Sequence, residues 1–244
     1  MMRLDKLLSL CGMASRSDSG RAIRRGEVLV NGVPARNGSQ SVDEHTDVVV
    51  FRGETVVYRP FVYVLLNKPE GYVSATEDAR EQTVLELLPD EVRRIRPELF
   101  PCGRLDKNTL GLMLLTNNGE LSHRLLSPRR HVDKTYRYRV KFPLSDADIA
   151  ALEAGVDIGG YTTAPCRVTR EGNAPDREGL ITLHEGKYHQ IKLMMEACHN
   201  QITYLERVTF GPLALPTDME CGTWRYLTDD EIKALHTAAG LNTK

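Results

Sequence analysis

Short segments with the apolar pattern of β-strands outnumber helical segments after residue 60, and they recur at irregular intervals. A doubly wound parallel sheet requires a regular alternation of strand and helix, which this sequence lacks. The pattern therefore predicts an α+β fold on a mainly antiparallel sheet. Strands are predicted at 61–67, 111–116, 134–142, 164–170, 180–184 and 202–210. Helices are predicted at 84–88, 120–126, 145–154, 188–199 and 228–239, with Ser145 and Thr228 as two of the N-caps.

The N-terminal part of the chain has a different pattern and is predicted to form a domain of its own. This domain covers residues 1–58, residues 56–60 form a linker, and a second domain covers residues 61–244. Two short helices are predicted first, the second of them capped by Ser15 or Ser17. The pair Asn31-Gly32 follows between two short apolar runs. It predicts a β-hairpin, because both central residues of such a turn need positive φ.

Basic residues are concentrated in this N-terminal part, although the net charge of the whole chain is −1. Positions 3 to 36 contain seven basic and three acidic residues. On charge alone, the basic residues on the two predicted helices are most simply a solvated surface. A compact pair of basic helices beside a hairpin is also suited to binding phosphate groups. The candidate phosphate contacts here are Arg3, Lys6, Arg16, Arg21, Arg24 and Arg25.

Three segments of this part resemble the S4 RNA-binding domain, over about the first 50 residues. They are Arg3-Leu4-Asp5-Lys6-Leu7-Leu8, Ala14-Ser15-Arg16-Ser17 and Gly26-Glu27-Val28-Leu29-Val30-Asn31-Gly32. The resemblance implies that the basic helix face docks on folded ribosomal RNA.

A polar loop from Gly103 to Thr109 lies between two apolar stretches and contains one carboxylate, Asp106. Its neighbours Arg104 and Lys107 favour the ionised form of that carboxylate. An ionised acid can act as a nucleophile or as a base. On residue chemistry alone, the simpler alternative is a surface loop in which Asp106 pairs with Arg104.

Four segments, in order along the chain, resemble motifs of the RsuA/RluB branch of pseudouridine synthases. The central one consists of Gly103-Arg104-Leu105-Asp106, Thr109, Gly111-Leu112 and Leu115-Thr116-Asn117-Asn118-Gly119. The others are Leu66-Asn67-Lys68-Pro69-Glu70-Gly71-Tyr72-Val73, Lys134-Thr135-Tyr136 and the segment from Ile181 to Lys192. The resemblance implies a small S4-like α/β domain followed by a mixed, mainly antiparallel pseudouridine synthase domain.

The resemblance also implies roles for individual residues. Asp106 is the expected catalytic residue, and Tyr136 is expected to stack on a flipped-out uracil, with Leu183 as a second apolar contact to the base. Lys192 and Arg104 are the expected charges beside Asp106. Without the motifs, Tyr136 would be an ordinary core tyrosine and Lys192 a solvated helix charge. Relatives outside this branch carry arginine at the position of Lys192, which leaves the geometry of its pair with Asp106 open.

A second cluster of basic residues begins before the predicted strand that carries Tyr136 and continues into that strand. Positions 124 to 141 contain seven basic residues and one acidic residue. Such a cluster suits a phosphate-binding surface, although part of it can be the solvated face of a strand. The candidate contacts in it are Arg129, Arg130 and Lys134.

The expected reaction is the isomerisation of one uridine to pseudouridine in 16S rRNA, at uridine 516, on free RNA or on an assembling small-subunit particle. The same reaction on 23S rRNA is the main alternative. A non-catalytic S4 protein of ribosome assembly and a hydrolase that uses Asp106 with His131 or His189 are the others. The isomerisation is redox-neutral and consumes no second substrate, so no cofactor is expected.

No metal site is expected either, because His184 and His189 are five residues apart and no cysteine pair accompanies them. The five cysteines are scattered, which favours a reducing, cytoplasmic setting. The N-terminal residues do not have the pattern of a signal peptide, and no apolar run is long enough to cross a bilayer. We expect a monomer.

Overall fold

A computed structural model describes residues 1–130 and 132–241, and its contacts divide the chain into two compact units. The first unit consists of Met1–Val62 and Leu85–Phe100. The second consists of Tyr63–Val84 and the chain from Pro101 onward. The segment Leu85–Phe100 therefore lies with the N-terminal residues, although the sequence pattern placed it in the second domain. The backbone N–H of Arg96 donates to the carbonyl of Leu10 at 3.0 Å, a contact that sequence periodicity cannot show. The domain boundary at residues 58–61 otherwise stays a prediction.

The first unit contains two helices, a third short helix and six short strands. These are β1 (Met2–Arg3), α1 (Leu4–Leu10), α2 (Arg16–Arg24), β2 (Val28–Val30), β3 (Val33–Pro34), β4 (Ser41–Val42), β5 (Val49–Phe51), β6 (Glu54–Thr55) and α3 (Asp90–Arg93). One sheet has the order β3-β2-β5-β6, and β1 pairs with β4. The hairpin prediction is confirmed, since Asn31 and Gly32 have φ of 51° and 79°. Ser15 is the N-cap of α2.

The second unit is built on one mixed sheet. Its strands, with one that begins at the unit boundary, are β7 (Tyr63–Lys68), β8 (Phe100–Pro101), β9 (Leu110–Thr116), β10 (Lys134–Val140), β11 (Arg167–Arg170), β12 (Glu178–Leu183), β13 (Ile202–Phe210), β14 (Leu213–Ala214) and β15 (Trp224–Tyr226). Its helices are α4 (Gly119–Leu126), α5 (Asp146–Ala154), α6 (Gln190–Ala197) and α7 (Asp229–Ala238). Two short 3₁₀ helices span Val84–Leu87 and Pro128–Arg130.

The strand order in this sheet is β11-β12-β10-β13-β9-β7-β15. Each neighbouring pair in that order is antiparallel except β13–β9, which is parallel. The α+β prediction is thereby confirmed. The parallel pair joins an antiparallel half that contains β10 to another that contains β7, and the loop that carries Asp106 leads directly into β9.

The sheet carries the main core of the unit. Strand β9 is buried along almost its whole length, as its continuous apolar sequence requires. Its residues Leu112 and Leu114 pack in a cluster with Leu121 and Leu125 of α4. Strand β10 instead alternates, with Tyr136 and Tyr138 buried while Arg137 and Arg139 are exposed. Among the described residues, the helices are all too short or too polar to span a membrane.

The N-terminus of α7 offers a measurable test of local stability. Thr228 and Glu231 form a capping box, and both guanidinium nitrogens of Arg225 donate to the Glu231 carboxylate at 2.7 Å. Arg225 is the main reason that the pKa of Glu231 falls to about 2. This stabilisation is complete above the ordinary pKa of 4.5 and is lost as the pH falls through about 2.

We expect Glu231→Gln to lower the free energy of unfolding by about 1 kcal/mol near neutral pH. Urea unfolding at a series of pH values measures this difference, which should shrink below the ordinary pKa of the carboxyl group and vanish toward about pH 2. Asp230→Asn in the same turn is the matched control, because the Asp230 side chain is 93% exposed. A loss that is independent of pH would contradict the ion-pair explanation.

Candidate active site

A cavity of about 790 Å³ in the second unit brings the predicted site residues together. Its walls come from the loop at Asp106, from β10, from the end of β12 and from the segment that leads into α6. The residues Arg104, Asp106, Tyr136, Leu183 and Lys192 all line it. Sequence positions up to 88 residues apart, from 104 to 192, therefore face one space.

Asp106 has a basic partner in this cavity. Its Oδ2 atom lies 2.6 Å from Nζ of Lys192, which also donates to Oδ1 of Asn108 at 2.7 Å. Its Oδ1 atom lies 3.5 Å from Nε2 of His189. The Asp106 side chain is 26% exposed, so the carboxylate is reachable from the cavity. A positioned cation beside a reachable carboxylate stabilises its ionised form, which is the form that can attack or accept a proton.

Arg104 does not have the position that the sequence suggested. In the part of the chain that the structure describes, Asp106 forms an ion pair with Lys192 and lies beside His189, and Arg104 is not an ion-pair partner. The Arg104 side chain is exposed and lies on the cavity wall. Arg104 and Asp106 are only two residues apart in the sequence, but the Asp106 carboxylate meets Lys192 instead. The surface ion pair between Asp106 and Arg104, which was the simpler alternative, is therefore not present among the described residues.

Two buried side chains, Lys68 and Ser74, form hydrogen bonds with the backbone of the Asp106 loop. The Nζ atom of Lys68 donates to the carbonyl oxygens of Pro69, Lys107 and Thr109 at 3.0, 3.2 and 2.9 Å. The hydroxyl of Ser74 donates to the carbonyl of Leu105 at 2.7 Å. The same hydroxyl accepts from the Leu105 amide at 2.9 Å.

Burial lowers the pKa of Lys68 to about 8, although the nearby Asp106 carboxylate acts in the opposite direction. Lys68 lies within one of the sequence motifs, but the sequence indicates no role for it. The available signal was a lysine at the end of a largely apolar strand, where a charge needs several acceptors.

We expect Lys68→Met to reduce kcat by roughly 10 to 100-fold with little change in KM. The substitution removes three hydrogen bonds, two of them to the loop that positions Asp106. A displacement of about 1 Å in a reacting group has an effect of this size. Steady-state assays of the isomerisation that the sequence motifs imply measure it. An unchanged kcat would show that the loop keeps its position without Lys68.

The charge of Lys68 also predicts a pH dependence of stability. Its folded pKa of about 8 lies below its ordinary value of 10.5, so between these values the unfolded chain binds more protons. The free energy of unfolding of the wild type, relative to Lys68→Met, should therefore rise as the pH increases from about 8 to about 10. Chemical denaturation at several pH values measures this difference. A difference that falls or stays constant would contradict the assignment of a buried, charged Lys68.

The helix that carries Lys192 begins later than the sequence predicted. It starts at Gln190 instead of near Tyr188, because His189 has a left-handed φ of 51°. The Gln190 side chain fixes this turn, since its amide donates to Glu185 at 2.6 Å and its oxygen accepts from the Lys187 amide at 2.8 Å. The turn places His189 beside Asp106. The sequence excludes His189 as a zinc ligand and gives it a role only in the hydrolase alternative. It does not predict the position of His189 beside Asp106.

Tyr136 and Leu183 provide the apolar part of the cavity. They lie on neighbouring strands, where Lys134 pairs with Leu183 and Tyr136 pairs with Ile181. Tyr136 is 9% exposed, and what remains accessible faces the cavity. The phenol ring beside a leucine offers a surface on which a flat base can stack.

The remaining predicted contacts differ in exposure. Arg129 and Arg130 are exposed in the 3₁₀ helix Pro128–Arg130. Lys134 is 7% exposed and lines the cavity, so it is not part of an outer phosphate-binding surface. Alternation along β10 explains the burial of Lys134, because it lies on the same side of the strand as Tyr136.

In the first unit, the predicted RNA contacts are exposed, and several pair with neighbouring acids. Arg3 pairs with Asp5 at 2.6 Å, Arg21 pairs with Asp18, and Arg25 lies 3.8 Å from Glu27. Exposed pairs of this kind contribute little to stability, so the cations can exchange these partners for phosphate groups. The other exposed candidates are Lys6, Arg16 and Arg24.

No cluster of three or more His, Cys, Asp or Glu side chains suited to a metal ion occurs in residues 1–130 and 132–241. His131, which the hydrolase alternative invoked, lies outside the described residues.

Comparisons with known proteins agree with the motifs. A family model described as RNA pseudouridylate synthase matches residues 62–197, and an S4 domain model matches residues 2–49. The uncharacterized RNA pseudouridine synthase YtzG of Bacillus subtilis is 45% identical, over 96% of this chain and 98% of its own. Ribosomal small subunit pseudouridine synthase A is 39% identical in Vibrio vulnificus (96% and 99% covered) and 35% identical in Escherichia coli (96% and 100% covered).

A crystal structure of a pseudouridylate synthase matches with a TM-score of 0.65 and 32% identity, over 96% of this chain and 100% of that chain. Fold, motifs and near full-length similarity thus agree, and the family resemblance of the sequence is confirmed. The chain has an N-terminal S4 domain and belongs to the RNA pseudouridylate synthase family.

Proposed function

We propose that this enzyme isomerises a single uridine of 16S rRNA, at position 516, with Asp106 as the catalytic residue. The observation that carries the catalytic assignment is the Asp106 carboxylate, held 2.6 Å from Lys192 and open to a cavity walled by Tyr136. The 16S assignment is supported by relatives named ribosomal small subunit pseudouridine synthase A, which match over almost their full length.

The chemistry follows from this arrangement. The target uridine leaves its stack, which requires a few kcal/mol and less in an irregular RNA region. Its base then lies against Tyr136 and Leu183, while the sugar faces Asp106. The carboxylate starts cleavage of the bond between N1 and C1′. The uracil stays in the cavity, turns, and forms a new bond from C5 to C1′, after which C5 loses its proton and N1 gains one.

Binding of the RNA is assigned to basic side chains outside the cavity. The exposed arginines and Lys6 on the S4 domain and the exposed pair Arg129 and Arg130 are suited to phosphates. Arg104, which is exposed on the cavity wall, is suited to a phosphate close to the target nucleotide. Contacts of this kind make affinity depend steeply on salt concentration. The substrate is free 16S rRNA or an assembling small-subunit particle.

The test uses unmodified 16S rRNA and unmodified 23S rRNA in separate reactions. Pseudouridine is mapped by carbodiimide modification and primer extension, with Asp106→Asn as the control. One new stop in 16S rRNA that the variant fails to produce supports the proposal. A stop in 23S rRNA alone would move the substrate to the large subunit and keep the chemistry.

An assembling small-subunit particle is the next substrate if neither free RNA is modified. Modification of the particle alone would assign the activity to ribosome assembly. Tight binding without modification of any substrate would contradict the catalytic proposal and favour a non-catalytic RNA-binding protein.

A further inference from the structure

Two buried basic side chains lie on the floor of the cavity and have no part in the reaction described above. Lys134 precedes Tyr136 by two residues on β10, so both side chains point to the same face of the sheet. Arg207 on β13 is the direct cross-strand neighbour of Tyr136. Lys134 is 7% exposed and Arg207 is 2% exposed, and both line the cavity. The two cations therefore flank the tyrosine on which the base is proposed to stack.

The contacts of these cations are with neutral groups. Lys134 Nζ donates to the carbonyl of Val132 at 3.1 Å, and Arg207 Nε donates to the carbonyl of Leu112 at 2.7 Å. The Phe210 ring centroid lies 5.7 Å from Nζ of Lys134 and 5.1 Å from Cζ of Arg207. Within residues 1–130 and 132–241, neither cation forms an ion pair with a carboxylate. Ammonium and guanidinium groups have more donors than these contacts use.

Buried charges without counter-ions are unfavourable, and apolar side chains of similar size would stabilise the same fold at least as well. Burial and the charge of Arg207 both lower the pKa of Lys134. An anionic group that enters the cavity would pair with both charges and would offset their mutual repulsion. Fixed cations in a site that excludes water act most strongly on negative charge that develops during a reaction.

The depth of the pair indicates which part of the substrate it meets. A phosphate belongs to a continuous backbone, which must enter and leave through the mouth of the cavity. The edge of a flipped base instead reaches the floor, between Tyr136 and the apolar side chains of Leu183 and Leu205. Carbonyl oxygens at that edge carry the negative charge of a uracil that has lost its bond to the sugar.

Resting on the proposed function, we propose that Lys134 and Arg207 form an oxyanion subsite for the uracil base. When the N1–C1′ bond breaks, its electron pair stays on the base and spreads onto the carbonyl oxygens. The subsite holds that charge while the base turns. The pair then returns to the ring as C5 bonds to C1′, and the proton that C5 loses is balanced by the one that N1 gains. No oxidant or second substrate is needed.

The first measurement compares Lys134→Met and Arg207→Met with the wild type on the rRNA that the wild type modifies. Single-turnover rates at saturating RNA should fall by about 100-fold or more for either variant, the usual effect of removing one oxyanion donor. RNA affinity should stay within about threefold, because the phosphate contacts lie elsewhere. The melting temperatures should not fall, because each variant replaces an unpaired buried charge with an apolar chain. Arg170→Met is the matched control, since Arg170 pairs with Asp146 and does not line the cavity.

A second measurement detects the anion without catalysis. The same RNA is made with 6-azauridine at the target position, a base whose ring ionises near neutral pH and changes its ultraviolet absorption. Binding to the wild type should lower the pH of that ionisation, and binding to either variant should not. An unchanged ionisation on the wild type would overturn the subsite.

A phosphate clamp predicts a different outcome. Variants that lose RNA affinity but keep the single-turnover rate at saturating RNA would assign the cations to a phosphate and overturn the proposal. Failure of the proposed function is distinguishable from both, because the wild type would then form no pseudouridine in any rRNA substrate.

Discussion

Asp106→Asn is expected to lose pseudouridine formation by at least about 10⁴-fold while it retains the fold and the affinity for RNA. The amide has the shape of the carboxylate, and its oxygen can still accept from Lys192, which lies 2.6 Å from Asp106. A neutral amide oxygen, however, is a poor nucleophile and a poor base. Single-turnover mapping of pseudouridine in the substrate RNA measures the loss.

The matched control for this substitution is Asp146→Asn, at the exposed start of α5, which should leave the rate unchanged. The Asp106 side chain is partly exposed, so its ion pair with Lys192 contributes no more than about 1 kcal/mol to stability. The free energy of unfolding of Asp106→Asn should therefore stay close to that of the wild type. Activity within about tenfold of the wild type would assign the chemistry to another group.

The positions of Asp106 and Asn108 explain why the basic partner of Asp106 is a lysine and not an arginine. An ammonium group is a compact donor with three hydrogens, and here it bridges the Asp106 carboxylate and the Asn108 amide oxygen at 2.6 and 2.7 Å. A guanidinium group would approach a carboxylate side by side through two nitrogens. The lysine thus fixes Asp106 through one oxygen and leaves the other toward His189, 3.5 Å away.

Local features of the fold were predictable because they depend on residues close in sequence. The positive φ values of Asn31 and Gly32 follow from the turn that a two-residue hairpin needs. The N-caps Ser145 and Thr228 follow from side chains that can accept the first free amides of a helix. The burial of Tyr136 likewise follows from the alternation of tyrosine and arginine along β10.

Features that depend on strand register were not predictable. Lys68 contacts carbonyls near position 107 and Arg207 lies beside Tyr136 only because particular strands pair in a particular order. Lysine and arginine usually lie at the surface, so residue type alone predicts that these two side chains are exposed, whereas both are buried. The late start of α6 depends on the left-handed backbone of His189, which a non-glycine residue seldom adopts. The departures from local expectation thus cluster around the cavity, as is typical of functional sites.

Gly111→Ala is expected to lower the free energy of unfolding by roughly 3 to 5 kcal/mol, the largest stability effect that we predict for a single methyl group. Gly111 pairs with Arg207 in the parallel contact that joins the two antiparallel halves of the sheet. A Cβ atom there would lie 2.3 Å from the Arg207 carbonyl oxygen and 2.8 Å from its amide nitrogen. The backbone φ of +98° is also unfavourable for any residue with a side chain.

The strand therefore has to move away from β13, and this movement reaches the site as well as the core. Gly111 is the second residue of β9, the strand that follows the Asp106 loop, so we expect the surviving folded fraction to have a reduced kcat. Gly119→Ala is the matched control, because a Cβ at that position meets nothing within 4 Å and the residue begins helix α4. That control should be neutral or slightly stabilising. Urea unfolding of both variants measures the contrast, and equal stabilities would show that β9 and β13 can separate at Gly111 without loss.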